Sequence, residues 1–269
     1  MKKYLSAQFE LEKLIEKHLF LICPNNSGST FFENILQTCN NTWNLKREAQ
    51  WIYGYKGPTT QTVNKPLIWA SSKESLDILL DKSLYAWKIT KKAWYFQAFS
   101  KTNIASIFTT KTPPFLLIVD QLKQNFFNTY FIFMVRNPYA VVEGISRRKL
   151  KNCKDNEDIF EIAAKHIMKC FEYQKSNLET FKDNSIFFTY EQMCDTPDLI
   201  ENKIKNFLPE LKDINLKQKI LVKGIYNETL TNMNQKQINK LSKEQIKIIN
   251  KIFIKNKSLM DYFKYEIIE

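Results

Sequence analysis

The stretch "LFLICPNNSGSTFFENIL", residues 19–36, decides the fold. Five apolar residues run into a polar turn, and beyond it Phe31, Ile35 and Thr38 fall on one side of a helix while Phe32 and Leu36 fall on another. Strand, tight turn and helix in succession make the shape of a phosphate-cradling loop. Gly28 lets the backbone turn and approach a ligand, and Ser29 and Thr30 stand at a helix N-terminus, where free N–H groups favour an anion. The segment departs from GxxxxGK[ST], because the lysine and the first glycine are both absent. Taken alone it equally describes an ordinary strand-to-helix turn capped by Ser27 or Ser29. A bound anion would need its counter-charge from another segment.

The same strand-and-helix alternation continues outward. Residues 107–110 read as a strand and lead to "KTPP". Phe115, Ile118, Val119, Leu122 and Phe126 then mark one helix face, residues 131–135 form another apolar strand, and "RNPYAVVEGISRR" turns into a helix. A long helix is expected from about residue 157 to 181, a strand over 185–189, a helix started by Thr196 and Pro197, and a last helix opened by a Ser242/Gln245 capping box. This pattern predicts an α/β fold of three layers, with a central, mostly parallel sheet and extra C-terminal helices, as one domain over 1–269. In such sheets ligands sit at the carboxyl ends of the strands. That edge should bring together "PNNSGST", a lysine (Lys111, read as opening a helix) and an arginine (Arg136).

Residues 40–105 hold all five tryptophans and read as an acceptor-side insertion, although core packing is the commoner use of tryptophan. Net charge is +12, which suits a polyanionic partner, yet lysine, asparagine and isoleucine are abundant all along the chain, so much of that charge can be solvated surface. No nucleic-acid partner is expected. Five cysteines without CxxC spacing argue against a disulfide framework or zinc site and for a reducing, cytoplasmic setting. No apolar run is long enough to span a bilayer. His18 and His166 have no cysteine, histidine or acidic companion at ligand spacing on this reading, and both are structural.

In these residues the chain resembles the sulfotransferases that use 3′-phosphoadenosine 5′-phosphosulfate, above all their bacterial and tyrosylprotein-type branches. Pro24, Ser27, Gly28, Ser29 and Thr30 match the family's 5′-phosphosulfate loop, with Asn26 where a basic residue belongs. "MVRNPYAVV" matches the segment that holds the 3′-phosphate, with Gly144 in place of a serine eight residues after Arg136. The segments "KTP", "YEQMCDTPDLIENKIKNFL" and "DYFKYE" extend the likeness.

The resemblance implies cofactor contacts from Asn26, Ser27, Gly28, Ser29, Thr30, Arg136, Gly144 and Arg148, with Arg148 joining Arg136 on the 3′-phosphate. Ser146 lies about 200° around the helix from Gly144 and cannot replace the lost hydroxyl. Lys111 is implied as the missing cation and Glu48, some twenty residues after Gly28, as the base; Glu48 pairing with Lys46 or Arg47 at the surface is the bland alternative. Sulfuryl transfer to a glycan or small-molecule hydroxyl or amine would release 3′,5′-adenosine bisphosphate and requires no metal. A binding protein without catalysis and a degenerate P-loop kinase are the competing expectations.

Overall fold

The computed structural model describes residues 11–99, 105–150, 158–222 and 226–269. Strands β1 (Lys17–Ile22), β2 (Thr42–Asn44), β3 (Ile107–Lys111), β4 (Thr129–Val135) and β5 (Ser185–Thr189) form an all-parallel sheet in the order β2-β3-β1-β4-β5. Alternation along the strands divides the interior in two. Phe20 and Ile22 of β1, with Phe131, Phe133 and Val135 of β4, face one core, while Leu19, Leu21, Ile132 and Met134 face the other.

The first core is closed by helices α3 (Trp87–Phe99), α5 (Pro138–Leu150), α6 (Ile159–Thr180) and α10 (Lys243–Lys255). Helices α1 (Ser29–Leu36), α7 (Tyr190–Asp195) and α8 (Pro197–Phe207) close the second. Further helices are α2 (Lys73–Leu80), α4 (Val119–Asn125), α9 (Asn234–Ile238) and α11 (Lys257–Tyr262); β6 (Ile220–Val222) and β7 (Tyr226–Glu228) make an antiparallel pair. No helix among the described residues is long and apolar enough to cross a membrane.

Three local expectations need correction. Lys111 closes β3 in extended backbone and does not open a helix. Pro113 and Pro114 instead start a 3₁₀ turn over Pro113–Leu117, and Ile118, at φ −127°, separates it from α4, so the single helix expected through Phe126 is broken. Thr196 does precede Pro197 at the start of α8, but its hydroxyl donates to the Gln192 carbonyl rather than capping. The Ser242/Gln245 capping box forms in both directions. Trp43, Trp69, Trp87 and Trp94 are buried, and Trp94 stacks between Phe108 and Phe126, so these four are core residues. Cys23, Cys39, Cys170 and Cys194 are free thiols, while Cys153 lies outside the described residues.

Both histidines are buried and neutral. His18 donates from Nδ1 to the Phe127 carbonyl (2.7 Å) and accepts from the Tyr95 hydroxyl (2.8 Å). His166 Nδ1 accepts from the Ala70 N–H at 3.1 Å, and Cys170 Sγ lies 3.7 Å from Nε2. A cysteine one turn away thus does stand at ligand spacing, contrary to the expectation, yet no cluster of three metal-binding side chains occurs among the described residues.

Burial lowers His18 to about 4 and His166 to about 3, from an ordinary 6.5. Below pH 6.5 the unfolded chain therefore binds more protons than the folded one. The stability that these histidines contribute is whole above that pH and drains as pH falls toward 4, by up to about 2.7 kcal/mol per pH unit for the two together. Urea unfolding between pH 7 and 4 should show this loss; a flat profile from pH 6.5 to 5 would contradict it.

Candidate active site

Parallel register aligns the ends of β1, β3, β4 and β5, and the loop between β1 and α1 lies along that edge. Within it, Asn26 (φ +60°) and Gly28 (φ +78°) are both left-handed, a conformation that asparagine tolerates and glycine adopts without strain. Gly28 is required twice over, since a Cβ there would overlap the Tyr190 ring. Ser27 is buried, and its hydroxyl closes the turn on the Pro24 carbonyl at 2.8 Å. No side chain caps α1, so the first-turn N–H groups of buried Ser29 and half-buried Thr30 stay available at the positive end of the helix.

Charge converges from three other segments. Lys111, only 3% exposed, places Nζ 3.0 Å from Glu48 Oε1 and 3.5 Å from Glu33 Oε2. Burial alone would lower the proton affinity of this ammonium, but Glu33 and Glu48 outweigh it and raise the pKa, so Lys111 is a fixed cation. The second Glu48 oxygen accepts from Gln50 Nε2 at 2.9 Å, and Gln50 is held in turn by the Thr60 N–H at 3.1 Å. Glu48 therefore pairs with Lys111 rather than with its neighbours Lys46 and Arg47, which remain exposed. Its side chain keeps 29% exposure, so an oriented carboxylate borders solvent. Cys23, beside this cluster, is pushed up to about 12 by burial and stays a thiol.

Arg136 follows β4 and is 6% exposed. It stacks on Tyr190 with 4.1 Å to the ring centroid, and donates from Nε to Asn234 Oδ1 (2.7 Å), from Nη1 to the Asn26 carbonyl (3.0 Å) and from Nη2 to Gln237 Oε1. Burial lowers its pKa, opposed by Tyr190, Glu191, Cys194 and Tyr265. Glu191 ties the surroundings together by accepting from the Asn137 N–H, Asn234 Nδ2 and the Tyr265 hydroxyl. Gly144 lies against the same group, since a Cβ there would come 3.1 Å from Gln237 Nε2 and 3.3 Å from Asn26 Nδ2. Arg148 bonds the Gly144 carbonyl through Nε at 3.1 Å and lies within the electrostatic field of Glu48.

The predicted residues thus fall into two groups on one strand edge, Lys111 with Glu48 and Arg136 with Gly144 and Asn26. Arg148 is held on its own helix without sharing a partner with Arg136. Sequence reasoning missed Glu33, Gln50 and Gln237, and took in Tyr190 only as the start of the "YEQMC" segment, without a role at the site. Helical spacing from Thr30 could have flagged Glu33, but nothing local signals Gln237.

No protein-family model matches the chain, and no curated protein matches it in sequence. Solved structures do. A sulfotransferase of Mycobacterium avium superposes with TM-score 0.59 at 13% identity, covering 99% of this chain and 82% of that one. A sulfotransferase domain from the curacin biosynthetic pathway gives 0.56 at 16% identity, over 94% of this chain and 99% of that domain. The sulfotransferase domain of the Synechococcus PCC 7002 olefin synthase gives 0.57 at 16%, over 94% and 96%. Nearly the whole chain therefore has the sulfotransferase fold, in agreement with the resemblance carried by its motifs.

Proposed function

We infer that this protein is a sulfotransferase that binds 3′-phosphoadenosine 5′-phosphosulfate and sulfates a hydroxyl or amine of a small molecule or glycan. One observation carries the inference: a buried lysine at the end of β3 is bonded to an oriented, partly open carboxylate beside an uncapped helix N-terminus. The donor set suits the ligand. The left-handed turn at Gly28 presents backbone N–H groups without a side chain in the way, and Asn26 Nδ2 is a buried donor with no acceptor.

Ser29, Thr30 and Lys111 would hold the phosphosulfate, and Arg136 the 3′-phosphate. The cofactor would supply the sulfuryl group and a phosphate leaving group. Lys111 and the α1 N-terminus are placed to neutralise charge as it develops on that phosphate. Glu48 takes the acceptor proton, with Gln50 fixing the oxygen not engaged by Lys111. Residues 40–105 would border the acceptor, within a single domain.

Glu48→Gln keeps one oxygen to accept from Lys111 Nζ, loses the bond from Gln50 Nε2, and cannot accept a proton. Transfer of labelled sulfate should fall about 100-fold or more while 3′,5′-adenosine bisphosphate still binds. Undiminished transfer would remove Glu48 as the base. Binding without any transfer by the wild-type chain would favour a ligand-binding protein, a reading supported by the two carboxylates that already neutralise Lys111. Tighter binding of ATP than of the bisphosphate would favour a kinase-like site.

A further inference from the structure

Gln237 takes up a guanidinium N–H of Arg136 from which an anionic oxygen could also accept. Its carboxamide oxygen accepts from Arg136 Nη2, its nitrogen donates to Glu143 Oε2 at 2.9 Å, and that nitrogen lies 3.1 Å from where a Gly144 Cβ would be. A Cβ at 144 would crowd the Gln237 carboxamide, which would have to give by a few tenths of an ångström. The two departures from the family's signatures, Asn26 and Gly144, therefore meet around one side chain that reaches in from a distant segment.

Two further features indicate that this seat is made to be vacated. Asn26 Nδ2, 3.3 Å from the same Cβ position, is buried and makes no hydrogen bond, so a donor already faces the group without an acceptor. The five-residue helix α9, which carries Gln237, has Gln235 and Lys236 exposed, and the segment before it is tied mainly by polar contacts: Thr231 and Met233 on the Tyr190 hydroxyl, and Asn232 on Asp195. Gln237 itself is only half-buried, while Ile238 on the core and Asn234 on Arg136 and Glu191 anchor the rest of α9.

We propose that Gln237 is an internal occupant of the nucleotide site, an amide that a phosphate on the sugar must displace from Arg136 and that thereby tempers the site's affinity for the bisphosphate. A phosphate oxygen gains the charge-assisted bond from Arg136 and the idle Asn26 donor, whereas a neutral sugar hydroxyl gains too little to dislodge the amide. The proposal presupposes that the Arg136 side binds the nucleotide. Wild-type affinity for the bisphosphate is then reduced by the fraction of molecules in which Gln237 still sits on Arg136.

Calorimetry on the full chain with 3′,5′-adenosine bisphosphate and adenosine 5′-monophosphate tests it. Gln237→Ala should bind the bisphosphate about tenfold more tightly and the monophosphate within about twofold of wild type. Equal or weaker bisphosphate binding by the folded variant overturns the role of Gln237 and leaves the nucleotide site standing if wild type binds. Absence of bisphosphate binding by both proteins overturns the nucleotide site and the proposal together. Amide hydrogen exchange on the wild-type chain decides the matter independently of the variant's folding. The bisphosphate should speed exchange at Gln237, Asn239, Lys240 and Leu241, whose N–H groups bond within and just after α9, and slower exchange there would overturn the proposal.

Discussion

If the proposed function holds, Lys111→Met should abolish sulfuryl transfer, and it should lower stability by about 3–5 kcal/mol, the usual cost of removing one partner from a buried ion pair. The size follows from the neighbours. Glu33 and Glu48 both point at one ammonium, and deleting it leaves two carboxylates facing each other, one of them buried. Glu48 can turn outward to solvent, but Glu33, on α1, is only 8% exposed. Protonation relieves an uncompensated buried carboxylate, so the variant's deficit should shrink as pH falls from 8 to 5 in urea unfolding. A second change, Glu33→Gln, removes one of the stranded charges. The double variant should recover part of the stability and none of the activity, which separates the structural duty of Lys111 from its chemical one. A single variant as stable as wild type at pH 8 would mean that the lysine carries no buried charge.

The parallel sheet was readable because β1 and β4 are short apolar runs bounded by turn residues, the form of parallel strands buried on both faces, and β3 and β5 are shorter runs set between helical patterns. Strand β2 was not, since three residues, Thr42 to Asn44, make no pattern, and the tryptophan-rich segment after it packs by tertiary contact more than by period. Within the site, residues on the strand edge could be placed from topology alone. Lys111 landed on the right edge for the wrong local reason, as the last residue of β3 rather than the first of a helix. Its two carboxylate partners come from different elements, and Gln237 meets Arg136 across 101 positions of chain. Contacts of that kind leave no mark on local periodicity.

Arg136→Ala should cost more than any other single change on the nucleotide side, with 3′,5′-adenosine bisphosphate affinity reduced about 100-fold or more and stability lowered by roughly 2–4 kcal/mol. The guanidinium bonds the Asn26 carbonyl, Asn234 and Gln237, and lies flat on Tyr190, whose ring packs beneath Gly28. Removing it strands acceptors around buried Asn234 and frees the turn that shapes the loop, so binding and folding fall together. Arg136→Lys keeps the charge but not the fork, and a lysine cannot serve three acceptors in separate directions while stacking on the ring. It should therefore restore much less than half of the lost binding free energy, as read by calorimetry beside urea midpoints. Affinity equal to wild type in Arg136→Lys would reduce the residue to a simple counter-charge. Coupling to Gln237 gives the sharper check: if the amide acts only by holding the guanidinium, Gln237→Ala loses its effect on bisphosphate binding once Arg136 is alanine, and two additive changes would place them in separate roles.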